Sequence, residues 1–396
     1  MVTSSLATDP RDPYAAAGAG NDNHIAVPAG LRNVAVARTA LGGVRGDEGF
    51  YHYRQYSAVE LASKRSLEDT WHLLIEGHLP AREQAEGFAR AVAADRVVPP
   101  EVLERLPAIA SACPDTLSAL RTSLSLTGAV LGLGPTHGAP PAQLLADARR
   151  VAAVTPTLVA ALHRLRTGTE PIRPDAGLGH AADYLRMLTG KPSSPESVNA
   201  VERYLVSTID HGFNASTFTA RVIASTGTDI GSAILGALGA LTGPLHGGAP
   251  ALALSMLDDI GAADATAWVE AQVAGGRRIM GFGHAVYRTE DPRARLLRET
   301  ALELGGERVE RAVEIEEQIL QALARLKPHR QIATNVEYWA AIVLDSCGLP
   351  RSLFTPTFAC SRVIGWTAHI LEQVSESTLI RPSAAYVGPP PPAPLP

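Results

Sequence analysis

Cysteine is scarce in this chain. The 396 residues include only Cys113, Cys347 and Cys360. Their odd number and wide spacing argue against a disulfide framework and against a thiolate zinc site, and fit a reducing, cytoplasmic setting. An excess of charge of one sign is missing too: 35 Lys and Arg against 40 Asp and Glu leave a formal net charge of -5. That balance speaks against nucleic acid or an anionic membrane surface as the main partner. The longest apolar run, Ile230 to Leu245, is broken by glycines and Pro244 and is too short to span a bilayer. Glycine-rich dinucleotide turns, phosphate loops, HExxH helices and GxSxG elbows are all absent from the sequence. Alternating β-branched runs are nearly absent as well. What remains is 46% hydrophobic and 19% charged, as in an ordinary globular enzyme, and long enough for a large domain plus a smaller one.

Helical spacing dominates, so the expected fold class is all-α. Val336, Trp339, Ala340, Val343 and Leu344 fall at i, i+3, i+4, i+7 and i+8 and draw one helix face. Phe358 to Val374 traces a long buried helix, and Glu299 to Leu326 a charged amphipathic one. Ser57-Ala-Val-Glu60 reads as a capping box, with Ser57 at the cap and Glu60 reaching back. The one strand-like candidate is Asn33 to Arg38. The glycine-rich segment Gly231 to Ala240 is costly for a helix, at about 1 kcal/mol per glycine, and implies close packing by another backbone, centrally or at a subunit interface.

Composition divides the chain into a disordered tail over 1–30 and the first part of a large helical domain over 31–249. A small helical domain follows over 250–348, then the C-terminal part of the large domain over 349–388 and a proline-rich tail over 389–396. Nothing at the start of the chain reads as a signal peptide.

Three histidines lie in turns. In Gly243-Pro-Leu-His246-Gly-Gly-Ala249 the backbone is fixed by Pro244 and freed by glycines, which suits an imidazole aimed at a ligand where negative charge develops. His284 sits in Gly281-Phe-Gly-His284, ahead of Arg288-Thr-Glu-Asp291-Pro-Arg293, where two guanidiniums can converge on carboxylates or phosphates. The bland reading of that run is a solvated set of ion pairs. His211 follows Asp210 and precedes Asn214, which could orient its ring. Glu337, after the good N-cap Asn335, is either a first-turn acid favoured by the helix dipole or a carboxylate base. Arg362 lies on an apolar helix, and a buried arginine requires an anion. Arg277 and Arg278 could add phosphate contacts, and Arg381 is uninformative by itself. The histidines are too far apart in sequence, with no i, i+4 pair, to favour a three-histidine metal site.

In this order these segments resemble the citrate synthase family. The likeness runs from about Gly30 to Gly388 and includes Gly49-Phe-Tyr-His-Tyr-Arg-Gln-Tyr-Ser57, Asp210-His211 with Asn214 to Arg221, the His246 and His284 turns, Asn335-Val-Glu337, and Phe354 through Arg362 to Trp366. The resemblance implies a two-domain helical fold with the smaller domain inserted, a homodimer, and condensation of acetyl-CoA with oxaloacetate and water to citrate and CoA. No metal or prosthetic cofactor is implied; the coenzyme A thioester is a substrate. It also implies roles for individual residues. His246 polarises the thioester carbonyl, His284 donates a proton to the keto oxygen, and Glu337 is the base. His211, Asn214, Arg293 and Arg362 hold the keto acid, with Arg381 from the other subunit. Arg288 meets CoA phosphates, and Met280, Gly281, Phe282 and Gly283 lie near the adenine. The alternatives are 2-methylcitrate synthesis from propionyl-CoA and a catalytically weak CoA- or keto-acid-binding homologue. Four positions depart from the family pattern: Glu337 for aspartate, Gly212 for glutamate, Pro250 for asparagine and Gln55 for glycine. The extra methylene of Glu337 moves the carboxylate by roughly 1–1.5 Å, about one C–C bond.

Overall fold

A computed structural model describes residues 25, 27–243, 246, 249–284, 286–384, 388–389 and 391–395. Most of the expected N-terminal tail, and most of the glycine turn around His246, lie outside these residues. Residues 40–378 form one compact unit, and the two ends, 1–39 and 379–396, group into a second.

The larger unit opens with a small antiparallel sheet of β1 (Gly42–Arg45), β2 (Phe50–Tyr53) and β3 (Tyr56–Ser57), in the order β1-β2-β3. Its first strand lies just past the expected Asn33 to Arg38, where no strand forms. The β1–β2 hairpin turn supplies the pairing partner that residues 33–38 lack, so alternation of small and β-branched residues alone did not locate the strand.

Helices then follow: α1 (Ala58–Lys64), α2 (Leu67–Glu76), α3 (Arg82–Asp95), α4 (Pro100–Leu103), α5 (Leu106–Ala112), α6 (Thr116–Val130), α7 (Pro141–Arg166), α8 (His180–Thr189) and α9 (Pro195–Thr208). The chain continues with α10 (Ala215–Ala224), α11 (Ile230–Leu241), α12 (Ala249–Ile260), α13 (Ala265–Ala274), α14 (Pro292–Leu304), α15 (Glu307–Leu326), α16 (Val336–Ser346) and α17 (Phe354–Glu376). The all-α expectation holds. Among the described residues no helix is long and apolar enough to cross a membrane.

Local chemistry sets several boundaries. Ser57 caps α1 by accepting the Glu60 N–H at 3.4 Å, but the Glu60 carboxylate pairs with Lys64 at 2.7 Å instead of reaching back. The expected single helix over Glu299 to Leu326 is two, because Gly305 and Gly306 take φ of 66° and 97°, a left-handed backbone that ends α14.

Helix α17 is the hub. It packs on α7, α9, α10 and α11, and its residues Phe354, Val363, Ile364, Trp366 and Ile370 are buried in the core. A Cβ on Gly365 would overlap the carbonyl oxygen of Ile209, so this glycine lets α17 touch the segment just before His211. The glycines of α11 serve partly the same end: a Cβ on Gly236 would meet the tip of Ile223 on α10, whereas Gly239 faces open space. On the other side of the unit α16 packs on α14 and α12, α13 on α15, and α14 on α9.

Candidate active site

Asp291 organises the arginine-rich turn. Pro292 starts α14 with a preset φ, and the Asp291 carboxylate caps the helix by accepting the Arg293 N–H at 3.0 Å. The same carboxylate accepts Nε of Arg293 at 3.0 Å and Nη2 at 2.9 Å, a bidentate pair. It also accepts the Val336 N–H at 3.0 Å, joining the start of α16 to the start of α14. Burial opposes charge on both partners, but each outweighs it for the other: Asp291 is held below the usual carboxylate range and Arg293 above its ordinary value. Arg293 therefore has a fixed counter-ion.

His284 stands beside this pair. Its Nδ1 accepts the backbone N–H groups of Val286 at 2.9 Å and Tyr287 at 3.1 Å, so the ring proton sits on Nε2. Nε2 lies 3.3 Å from Nη2 of Arg293. With Nδ1 taken by two backbone donors, the Nε2 hydrogen and the Nη2 hydrogen that points at it cannot both lie between the two nitrogens, so an electron-rich oxygen bound there would relieve the conflict by accepting from both. Burial, and then the Arg293 charge, push the imidazole down to about 4, which keeps it neutral near pH 7.

His211 completes the cluster. Its ring packs edge-on to His284 at 5.7 Å and tilts against Tyr51 at 5.6 Å, while Nε2 lies 2.8 Å from the Tyr287 hydroxyl. Tyr287, and not Asn214, orients it. Burial and then the charges of Arg293 and Arg362 hold its pKa well below the ordinary histidine value. The turn carrying His211 is anchored by the sheet: Tyr51 donates to the Ser207 carbonyl at 3.0 Å, and Tyr53 to the carbonyls of Val206 at 2.9 Å and Asp210 at 3.1 Å.

Arg362 is only 3% exposed, its guanidinium lies over the Phe358 ring at 4.8 Å, and its Nε has no partner among the described residues. Burial lowers its pKa while the Asp210 charge opposes that. A buried, under-bonded guanidinium is a costly arrangement unless an anionic ligand joins it.

His246 sits 2.8 Å from the Ser216 hydroxyl through Nε2. Asn214, the N-cap of α10, accepts the Thr217 N–H at 3.1 Å and the Ser216 hydroxyl at 2.7 Å with the same oxygen. Asn214 thus bears on His246 through Ser216. The one Ser216 hydrogen goes to Asn214, so its oxygen accepts from Nε2 of His246 here; only if the hydroxyl turned to His246 would the ring proton move to Nδ1. Burial, then the Arg362 charge, hold His246 low and neutral.

Glu337 is in the first turn of α16, its N–H capped by Asn335 at 3.0 Å. Asn335 in turn donates its side-chain amide to the Gly283 carbonyl at 2.8 Å and its backbone N–H to that of Gly281 at 2.9 Å. The Met280 to Gly283 segment is thereby tied to the helix that carries Glu337. Gly281 has φ +81°, and a Cβ there would crowd Tyr338. Burial pushes the Glu337 carboxyl up to about 7, with Arg293 pulling it down and Asp291 pushing it up. Arg288 is exposed, with its N–H on the Gly46 carbonyl at 3.1 Å. Arg381 is exposed and belongs to the second unit. Among the described residues no three His, Cys, Asp or Glu side chains are grouped to hold a metal ion.

The family model "Citrate synthase, C-terminal domain" matches residues 30–383. The chain belongs to the citrate synthase family. It is 38% identical to the "Putative citrate synthase 2" of Mycobacterium tuberculosis, over 92% of this chain and 94% of the relative. It is 37% identical to the 2-methylcitrate synthase of the same organism, over 91% of this chain and 90% of the relative. Its fold matches that of the Thermoplasma acidophilum citrate synthase, solved as a ternary complex with carboxymethyl coenzyme A and oxaloacetate. That match has a TM-score of 0.81 and 29% identity, over 92% of this chain and 97% of the other.

As a citrate synthase family member the chain is a condensing acyltransferase, and its histidines 211 and 284 with Arg293 form one cluster to which Arg362 and Glu337 are electrostatically coupled. Sequence reasoning missed Tyr287, Ser216 and the charge pairing of Asp291. The Asp-Pro-Arg order was a usable signal for the last, because a capping aspartate two residues before an arginine is within reach of its side chain. No local signal points to Tyr287 or Ser216.

Proposed function

We propose that the protein condenses acetyl-CoA with oxaloacetate and water, giving citrate and CoA, without a metal or prosthetic cofactor, and acts in the cytoplasm as a homodimer. The observation that carries this reading is the buried Arg362 guanidinium, whose Nε has no partner among the described residues and whose charge acts on the neutral His211 and His246, with the Glu337 carboxyl near Arg293 raised to about 7. That set suits a dianionic keto acid and the removal of a weakly acidic proton.

In this reading the Glu337 carboxylate takes a proton from the α-carbon of the thioester, and an imidazole N–H of His246 stabilises the oxygen of the resulting enol. The α-carbon then bonds to the keto carbon of oxaloacetate. The keto oxygen gains the electron pair and receives the Nε2 proton of His284, with the second Nη2 hydrogen of Arg293 directed at the same oxygen. Water finally cleaves the thioester, releasing CoA. His211 and Arg362 hold the keto acid, Asn214 keeps Ser216 and His246 in place, and Arg381 reaches the neighbouring subunit's site. Arg288 meets CoA phosphates, and the backbone from Met280 to Gly283 lies along the adenine. The segment 250–348 moves as a small domain that closes over the ligands.

The identity to a 2-methylcitrate synthase supports a second reading, with propionyl-CoA as the acyl donor. One methylene is worth only about 1–3 kcal/mol of discrimination, so both donors are expected to react. A CoA-release assay with oxaloacetate and either donor decides: a higher kcat/KM for acetyl-CoA supports citrate synthesis, and a higher value for propionyl-CoA replaces it. Release with neither sinks the catalytic reading.

A further inference from the structure

The face of α17 that carries Arg362 continues with Gly365, His369, Glu372 and Glu376, spaced i, i+3, i+7, i+10 and i+14. Gly365 brings the helix backbone against Ile209 and Asp210, with the Asp210 Cβ the third-nearest atom to where a Cβ on Gly365 would lie, at 3.5 Å. Asp210 is 3% exposed and lies between two groups on this face. One turn towards the C-terminus, Nε2 of His369 meets its Oδ1 at 3.3 Å. One turn the other way is Arg362: burial pushes the Asp210 carboxyl up, but His369 and then the Arg362 charge outweigh it and hold the carboxyl below its ordinary range.

His369 is itself held from behind. Nη1 of Arg221 lies 3.3 Å from its Nδ1, and a guanidinium can only donate, so Nδ1 accepts and the ring proton is on Nε2, directed at Asp210. Arg221 has 0% exposure, bonds Gln373 through Nε at 2.9 Å and Glu372 at 2.5 Å, and pairs with Glu376 at 3.5 Å. The chain of contacts runs from partly exposed glutamates through a buried arginine and a histidine to the carboxylate beside Arg362.

We propose that His369, locked by Arg221, is a positioning residue for keto-acid binding: it holds Asp210 where that carboxylate fixes the charge and aim of Arg362. The inference rests on Arg362 as a keto-acid ligand. Without the Nε2 donor, Asp210 is free to turn and pair fully with Arg362, withdrawing the guanidinium from the substrate.

The test measures KM for each substrate, with oxaloacetate binding to the protein alone by calorimetry. His369→Leu, which keeps bulk but removes the donor, is expected to raise the oxaloacetate KM and Kd at least tenfold, with kcat and the acyl-CoA KM within about twofold. His369→Gln, which restores one N–H, is expected to recover most of the loss. If the leucine variant does not fold, His369→Asn, too short to reach Asp210, is expected to show the same split. In an Arg362→Leu background, loss of His369 is expected to add nothing further to the oxaloacetate Kd. Unchanged oxaloacetate affinity in folded His369 variants, or equal changes for both substrates, overturns the inference while leaving the substrate reading intact. Unchanged affinity in Arg362→Leu overturns the substrate reading itself.

Discussion

At the scale of single residues, Glu337 carries the sharpest expectations. A base with its pKa near 7 is protonated below that pH, so kcat/KM is expected to fall on the acid side with a limb near 7. Glu337→Gln is expected to lower kcat by about 10²–10⁴-fold and to abolish that limb. The same raised pKa costs stability. The folded state holds its proton more tightly than the unfolded chain, whose carboxyl titrates near its ordinary 4.5, so the penalty grows as pH rises from there through about 7. Above that pH the glutamine variant is expected to melt higher than the parent, and a lower melting temperature counts against the burial argument. Arg362→Leu is expected to raise the oxaloacetate KM far more than that of the acyl-CoA. Arg293→Leu is a poorer probe, because it strands the buried Asp291 carboxylate and destabilises by about 3–5 kcal/mol whatever the substrate. The sequence presented Arg293 and Arg362 as equivalent guanidiniums. Only the fold separates Arg293, paired with Asp291, from Arg362, whose Nε has no partner among the described residues.

Among the elements, the glycines of α11 and α17 differ in what surrounds them. Gly365 meets backbone, which cannot move aside, so Gly365→Ala is expected to cost about 1–3 kcal/mol and to weaken oxaloacetate binding by shifting Asp210. Gly236 meets the flexible end of Ile223, and alanine is the better helix former, so Gly236→Ala is expected to be neutral within about 1 kcal/mol. Thermal melts of both variants check the pair; equal losses would mean that the two contacts are equally rigid. Both helices were legible in the sequence, and Phe358 to Val374 falls inside the observed α17. The Gly305-Gly306 break was readable as a pair of glycines, yet the apolar spacing runs across it. Periodicity reports which face is buried and is blind to a change of axis.

For the whole molecule, closure and assembly are the open expectations. Oxaloacetate alone is expected to compact the protein in solution scattering or to slow hydrogen exchange over 250–348, because the enol must be kept from water. No change at saturation would remove the closure proposal. In solution the particle is expected at twice the chain mass of 41.6 kDa. Mixing Arg381→Leu chains with His246→Ala chains is expected to restore up to about half the activity per mixed dimer, since one site then collects both defects and the other none. A mixture that stays inactive after confirmed subunit exchange would show that Arg381 does not act across the interface.

The sequence by itself determined the helical class, the family, and the residue types of the site: turn histidines held by glycine and proline, and an arginine on an apolar helix that requires an anion. These follow from rules acting over a few neighbouring residues. The tertiary structure alone decided which charges pair. Asp291 reaches from the cap of α14 to the first N–H of α16, 45 residues on, and His369 meets Asp210 across 159 residues. A carboxylate, an imidazole or a guanidinium takes its ionisation from whatever surrounds it within a few ångströms, and chain folding chooses those neighbours.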